Sequence, residues 1–90
     1  MIAVRGIIFG KVQRVWFRRY VESVAVPLNL RGYVRNLPDG CVEVLLCGSA
    51  DAVAEGQAAV ERGSPASRVD SAQWQKVDLD PASIEGFRVS

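Results

Sequence analysis

The 90-residue sequence contains no histidine, two cysteines and no long hydrophobic run. Histidine is the side chain that most often accepts a proton near neutral pH, so its absence removes the commonest general base. The usual ligand spacings of a zinc site are absent as well. No apolar stretch approaches the roughly 20 residues of a membrane-spanning helix, and the first residues lack the layout of a signal peptide. These absences predict a cytoplasmic protein.

The two cysteines cannot form a disulfide with each other if they share one strand. Cys41 and Cys47 both fall in a single predicted strand. At about 3.3 Å per residue their Cα atoms would be roughly 20 Å apart, whereas a disulfide requires less than about 7 Å. Free thiols fit a reducing compartment.

Neither sign of charge dominates the sequence. Eleven Lys and Arg residues against ten Asp and Glu residues leave a net charge of +1. This balance gives no general attraction to nucleic acid or to an anionic membrane, so any affinity for an anion must be local. The length and the hydrophobic content of 49% are those of one globular domain, residues 1–90.

Hydrophobic periodicity predicts an alternation of strands and helices. The predicted strands are residues 2–9, 31–36, 41–47, 69–77 and 87–89, and the predicted helices are residues 17–25 and 50–61. The order β-α-β-β-α-β predicts an α+β fold, a ferredoxin-like split βαβ sandwich with two helices on one face of an antiparallel sheet. That fold hosts many unrelated functions, so the fold alone does not indicate an activity.

The apolar positions of these elements predict which faces are buried. In the third strand, Val42, Val44 and Leu46 form the expected core face. The first helix has an apolar face of Phe17, Tyr20, Val21, Val24 and Ala25. The second helix has a weaker, alanine-rich stripe of Ala50, Val53, Ala54, Gln57, Ala58 and Glu61. Gly56 lowers the stability of that helix by about 1 kcal/mol relative to alanine.

The junction between the first strand and the first helix is a candidate anion site. Gly10 opens a short loop, and Arg18 and Arg19 lie in the first turn of the helix that follows. Cations are disfavoured at a helix N-terminus, where free N–H groups and the helix dipole attract anions. A phosphate bound in the loop would relieve this conflict, although a glycine at such a junction is also explained by a tight turn alone.

The turn after the second strand carries a second candidate. Asn36 precedes the sequence Leu37-Pro38-Asp39-Gly40, which has the chemistry of a β-turn. An amide oxygen can accept a hydrogen bond from a water molecule and so orient it. A residue that merely tolerates unusual backbone angles at a strand end is the alternative. Asp39 is the nearest carboxylate, and a structural role in the turn suits it better than a role as a base.

Two segments of the chain contain sequence motifs at a definite spacing. The first motif consists of Gly10, Val12, Gln13, Val15, Phe17 and Arg18. The second consists of Gly32, Tyr33, Val34, Arg35, Asn36, Gly40, Val42 and Gly48. Both resemble the signatures of the acylphosphatase family, and residues 63–65 and 86–89 are also similar to family members. The resemblance therefore spans essentially the whole chain.

The resemblance implies an activity and a set of site residues. It implies hydrolysis of small acyl phosphates to a carboxylate and phosphate by a monomer that needs no metal or cofactor. Arg18 would bind the phosphate, Asn36 would hold the attacking water, and inorganic phosphate or sulfate would compete with the substrate. The backbone that would cradle the phosphate belongs to Gly10, Lys11, Val12, Gln13, Arg14, Val15, Trp16 and Phe17.

The sequence departs from the first signature at Arg14, where the family has glycine. Glycine permits a positive φ and a close approach of the backbone to phosphate. If Arg14 adopts the left-handed region, the strain is roughly 1–2 kcal/mol. This leaves open a second function, a catalytically impaired domain that binds anions or other molecules.

Recognition of single-stranded RNA is a third and poorer interpretation. Sheets that bind RNA present stacking aromatics on their central strands, whereas the third strand here offers Val42, Val44 and Leu46. The balanced charge argues against it as well.

Overall fold

Every strand and helix that the hydrophobic pattern predicts is present, with ends that differ from the predicted ones by at most two residues. The computed structural model describes residues 1–90, apart from the side chain of Pro81. The elements in chain order are β1 (Ile2–Lys11), α1 (Phe17–Ala25), β2 (Arg31–Asn36), β3 (Val42–Gly48), α2 (Ala50–Arg62), β4 (Arg68–Lys76) and β5 (Phe87–Val89). Among the described residues, no helix is both long and apolar enough to cross a membrane.

The five strands form one sheet in the order β4-β1-β3-β2-β5. Strands β1 and β2 both pair antiparallel with β3, so their carboxyl ends reach the same edge of the sheet. The prediction of a wholly antiparallel sheet is wrong because β5 pairs parallel with β2. The chain leaves β4 at one border of the sheet and crosses to the other, where it joins β2 in the same direction. The sheet is therefore mixed, and the predicted ferredoxin-like α+β fold is confirmed.

Helix α1 buries the face that its sequence predicts. Phe17, Val21 and Ala25 are buried, and Tyr20 and Val24 are partly buried. The hydroxyl of Tyr20 donates a hydrogen bond to the backbone carbonyl of Ala59 in α2 at 2.7 Å, which joins the two helices. This packing fixes the start of α1, and with it the end of the loop that precedes the helix.

Helix α2 packs with a different face from the predicted one. Of the alanine-rich stripe only Val53 is buried, and the buried residues of the helix are Val53, Gly56, Ala59 and Val60. A Cβ atom at position 56 would lie 2.8 Å from Cδ1 of Leu30 and 3.2 Å from Cδ1 of Leu46. Gly56 therefore allows the helix to approach the sheet closely. The prediction failed because alanine is compatible with either face of a helix.

Strand β3 is buried on both of its faces. Val42, Val44 and Leu46 belong to the core beneath the helices, as predicted. The intervening residues lie on the opposite face of the sheet, where Glu43 is only 5% exposed. Val42, Val44 and Leu46, whose apolar character counted against RNA binding, therefore lie on the covered face of the sheet rather than on the open one.

The carboxylate of Glu43 is the centre of a polar cluster on the open face of the sheet. It accepts hydrogen bonds from the Tyr33 hydroxyl at 2.8 Å and from Nε of Arg35 at 2.7 Å. Nε of Arg5 lies 3.9 Å from Oε2, the oxygen that accepts the hydrogen bond from Tyr33. Burial alone would raise the pKa of Glu43, but the hydrogen bonds from Tyr33 and Arg35, with the charges of Arg35 and Arg5, outweigh burial and hold it below its ordinary value.

Candidate active site

The loop between β1 and α1 begins at a break in the sheet. The pairing of β1 with β4 shifts register just before Gly10. Gly10 has a φ of 132°, and a Cβ atom there would lie 2.1 Å from the carbonyl oxygen of Arg68, so only glycine fits. Lys11 is exposed, whereas Val12 is buried in the core and Val15 packs against it. The two valines anchor a loop whose backbone is otherwise at the surface.

Two residues of this loop adopt a backbone conformation that occurs in anion-binding concavities. Arg14 and Trp16 both have left-handed backbone conformations, with φ of 63° and 62°. Left-handed residues placed among right-handed ones direct successive N–H groups into a concavity that binds anions. In the part of the chain that the structure describes, no N–H group of residues 12–16 donates to a protein acceptor. The first helical bond runs from Tyr20 N–H to the carbonyl of Trp16 at 3.1 Å, so the N–H groups before it are available.

The two arginines of the first helical turn both have partners within the protein. Nη1 of Arg18 donates to the backbone carbonyl of Ser90. Nη1 of Arg19 lies 3.2 Å from Oε1 of Glu22, one turn further along the helix. The conflict between these cations and the helix N-terminus is therefore partly relieved without a bound anion.

A cavity of about 420 Å³ lies at the start of α1. Four of the eight predicted loop residues line it together with Arg18, whereas Gly10, Lys11, Gln13 and Val15 do not. Its lining consists of Val12, Arg14, Trp16, Phe17, Arg18, Arg19 and Val89. Guanidinium groups and apolar side chains share the cavity, so it can accommodate an anion that carries an apolar group.

Gln13 connects the loop to the turn after β2. Its Nε2 donates two hydrogen bonds of 2.8 Å, one to the carbonyl of Leu37 and one to the carbonyl of Cys41. These carbonyls belong to the two arms of the turn, which is closed by a hydrogen bond from Leu37 N–H to Cys41 O at 2.8 Å. One side chain thus fixes the loop relative to the residue that precedes the turn, Asn36.

Asn36 ends β2 at the edge where β1 runs into the loop. Val34 is buried beneath the helices, so strand alternation directs Asn36 to the same side of the sheet. Its side chain is exposed and has no hydrogen-bond partner among the described residues, which leaves its amide available. Asn36 does not line the cavity that contains Arg18. Asp39 has a structural contact, because its Oδ1 accepts a hydrogen bond from Cys41 N–H at 3.0 Å.

Cys41 is a free thiol that lies within the same turn. Both cysteines are free, as predicted, and both are buried, although Cys41 lies just before β3 rather than within it. Burial raises the pKa of the Cys41 thiol, and the neighbouring Asp39 raises it further. Cys41 therefore contributes its backbone to the turn, and its sulfur stays protonated near neutral pH.

Three features of the site were not predicted from the sequence. The left-handed conformation of Trp16 had no signal, since tryptophan seldom adopts it and the family signature accepts any residue there. The contact between Arg18 and Ser90 joins residues at distant points of the chain and depends on where β5 docks. The bridge from Gln13 had a weak signal, a polar amide between two anchoring valines.

Comparison with known proteins agrees with this architecture. A sequence model of the acylphosphatase family matches residues 4–89. An acylphosphatase of Rhizorhabdus wittichii is 54% identical over 96% of this chain and 85% of its own length, and one of Nitrosococcus oceani is 45% identical over 96% and 94%. The crystal structure of an acylphosphatase from Bacillus subtilis superposes with a TM-score of 0.94 at 33% identity, covering 100% of this chain and 99% of that one. A chain matched over this extent in both sequence and structure belongs to the acylphosphatase family.

Proposed function

We propose that this chain hydrolyses the carboxyl-phosphate bond of small acyl phosphates to a carboxylate and phosphate, without a metal or cofactor. The observation that carries the proposal is the row of unpaired N–H groups in residues 12–16 beside the guanidinium of Arg18. Family membership supports the same reaction. Backbone donors with one guanidinium supply what a phosphoryl group requires, since its three equatorial oxygens carry the developing charge.

The reaction needs little general acid catalysis. The oxygen of a water molecule forms a bond to phosphorus while the bond from phosphorus to the acyl oxygen breaks, and the electron pair leaves with the carboxylate. The conjugate acid of that carboxylate has a pKa of about 4, so the leaving group departs without a proton donor. A phosphate oxygen of the substrate takes the proton of the water. In this proposal Asn36 accepts a hydrogen bond from the water and orients its lone pair towards phosphorus.

The roles of Arg18 and Asn36 are tested by single substitutions. Arg18→Ala and Asn36→Ala each lower the kcat for acetyl phosphate by about 10²- to 10³-fold, the loss typical of one electrostatic group that acts in the transition state. Arg62→Ala, at the exposed end of α2, is the matched control and leaves kcat unchanged. Near wild-type turnover in either variant would remove the role assigned to that residue.

A second candidate function is an anion-binding domain impaired in hydrolysis. The observation that favours it is the φ of 63° at Arg14, a position where the family signature has glycine. A side chain there strains the loop, and a misaligned cradle would bind phosphate but turn over slowly. Heat stability would then rise with phosphate while acyl phosphate persisted.

The remaining expectations concern partners and location. The proposed enzyme is a monomer of one domain, residues 1–90, that acts in the cytoplasm and binds neither nucleic acid nor membranes. The net charge of +1 supports this proposal, since it provides no general electrostatic attraction to polyanions. Inorganic phosphate and sulfate resemble the transferred group, so both should compete with acetyl phosphate.

A further inference from the structure

Trp16 is exposed to a degree that the fold does not explain. Its side chain is 81% exposed, more than any other large hydrophobic residue of the described chain. It lies outside the core cluster, whereas its neighbours Val15 and Phe17 pack into it or against it. Its backbone also adopts the left-handed region at a φ of 62°. Strain of this kind at a non-glycine residue persists where the surroundings hold it and is common at binding sites.

The indole belongs to the cavity at the start of α1. Arg14, Arg18 and Arg19 form the cationic part of the lining. Its accessible apolar part is Trp16 with the partly exposed Val89, because Val12 and Phe17 are each only 1% exposed. At about 420 Å³ the cavity is within the range of sites that hold ligands much larger than a phosphate ion. A phosphoryl group bound to the loop would fill only a fraction of it.

The position of Trp16 in the chain relates the indole to the bound phosphoryl group. Its N–H is one of the unpaired loop donors, and its carbonyl begins the hydrogen bonding of α1. The side chain therefore emerges from the backbone that would grip the phosphoryl group. An acyl group attached to that phosphoryl group can extend towards the indole and Val89. Burial of the exposed indole against such a group is favourable, and most so for a ring that can stack on it.

We infer that Trp16 determines acyl-group specificity, so that this chain prefers acyl phosphates with bulky apolar acyl groups to acetyl phosphate. This inference rests on the proposed function. Acetyl phosphate reaches the donors of the loop but offers the indole only a methyl group. A larger apolar acyl group displaces water from the indole and from the partly exposed Val89.

Kinetics with two substrates test the inference. The kcat/KM of phenylacetyl phosphate and of acetyl phosphate is measured for the wild type, Trp16→Ala and Trp16→Phe. Trp16→Ala lowers the ratio of kcat/KM for phenylacetyl phosphate to kcat/KM for acetyl phosphate about tenfold, while Trp16→Phe restores most of that ratio. An equal loss on both substrates would show that Trp16 acts through the loop backbone. No loss on either would mean that the indole serves another purpose, such as contact with a protein. Both outcomes overturn the inference.

A binding measurement separates failure of this inference from failure of the proposed function. Phenylphosphonate and methylphosphonate are not hydrolysed, and their Kd values are obtained by calorimetry with the same three proteins. The wild type binds phenylphosphonate about tenfold more tightly than methylphosphonate, and Trp16→Ala abolishes that preference. This result supports the inference even if the wild type hydrolyses neither substrate, whereas equal Kd values in the wild type overturn it.

Discussion

At the scale of single residues, Arg14 combines a long side chain with a backbone conformation that favours glycine. A left-handed backbone costs an L-residue roughly 1–2 kcal/mol, and Arg14 adopts it with a φ of 63°. This position is recognisable in the sequence because the family signature has glycine there. Arg14 thus keeps the conformation that glycine would adopt freely. This indicates that the loop geometry is imposed by Val12 and Val15, which anchor the loop to the core.

The substitution Arg14→Gly measures what this strain costs the enzyme. We expect kcat for acetyl phosphate to rise by up to about tenfold, since relief of about 1.4 kcal/mol in aligning the cradle corresponds to that factor. Steady-state kinetics on the purified variant provide the measurement. Arg14→Ala removes the charge but keeps the Cβ atom, so it serves as the control for electrostatic effects. Hydrolysis in neither the wild type nor the glycine variant would favour the anion-binding domain.

At the scale of elements, the site depends on a connection between a loop and a turn. The side chain of Gln13 reaches two backbone carbonyls of the turn between β2 and β3. Each of these carbonyls also accepts a backbone hydrogen bond within the turn. Removal of the amide therefore weakens the connection without leaving a carbonyl unpaired, which limits the cost of a substitution.

We predict that Gln13→Leu lowers the free energy of unfolding by about 1–2 kcal/mol. Two hydrogen bonds are lost, each worth roughly 0.5–1.5 kcal/mol, and the remaining partners of the carbonyls keep the total near the lower end. Urea unfolding gives the value. Gln57→Leu is the matched control, because Gln57 is partly buried in α2 and its side chain has no hydrogen bond among the described residues. Equal free energies of unfolding for Gln13→Leu and the wild type would mean that the two hydrogen bonds of Gln13 do not stabilise the fold.

The sequence predicted elements better than it predicted their contacts. Strand and helix positions follow from periodicity. Helix α2 begins after Ser49, whose side chain accepts a hydrogen bond from Ala52 N–H. The buried face of α2 could not be predicted because close approach at Gly56 depends on leucines of other elements. The parallel pairing of β5 depends on the path of a long connection, which carries no periodic pattern. The roles of Arg18 and Asn36 stay predictions, since they came from motif resemblance.

At the scale of the whole molecule, the open face of the sheet makes stability depend on pH. Glu43 on the central strand is nearly buried, and its pKa is lowered in the folded protein. A carboxyl whose folded pKa lies below its unfolded value stabilises the fold at pH values above the unfolded pKa. That stabilisation is lost as the pH falls through the folded pKa. The relevant window therefore lies below the ordinary value of 4.5.

The substitution Glu43→Gln isolates this contribution. At pH 7 we expect the variant to be less stable by roughly 1–3 kcal/mol, because hydrogen bonds to a charged group are replaced by weaker neutral ones. The difference from the wild type shrinks as the pH falls below 4.5, where the wild-type carboxylate becomes protonated. Chemical unfolding across the pH range gives both curves.

A surface ion pair provides the control for the Glu43 experiment. On β4, Oδ1 of Asp70 lies 2.9 Å from Nε of Arg68, and both side chains are largely exposed. Asp70→Asn should change the free energy of unfolding by less than about 1 kcal/mol at either pH. A constant gap between Glu43→Gln and the wild type from pH 7 to pH 3 would show that the charge of Glu43 does not contribute.

The exposure of Trp16 has a practical consequence. The chain contains two tryptophans, and the other one, Trp74, donates its indole N–H to Glu61 and packs against the core. An anionic quencher such as iodide should therefore reach the fluorophore beside the arginines first. The intrinsic tryptophan fluorescence of this chain then reports whether the anion cradle is occupied, with no attached dye.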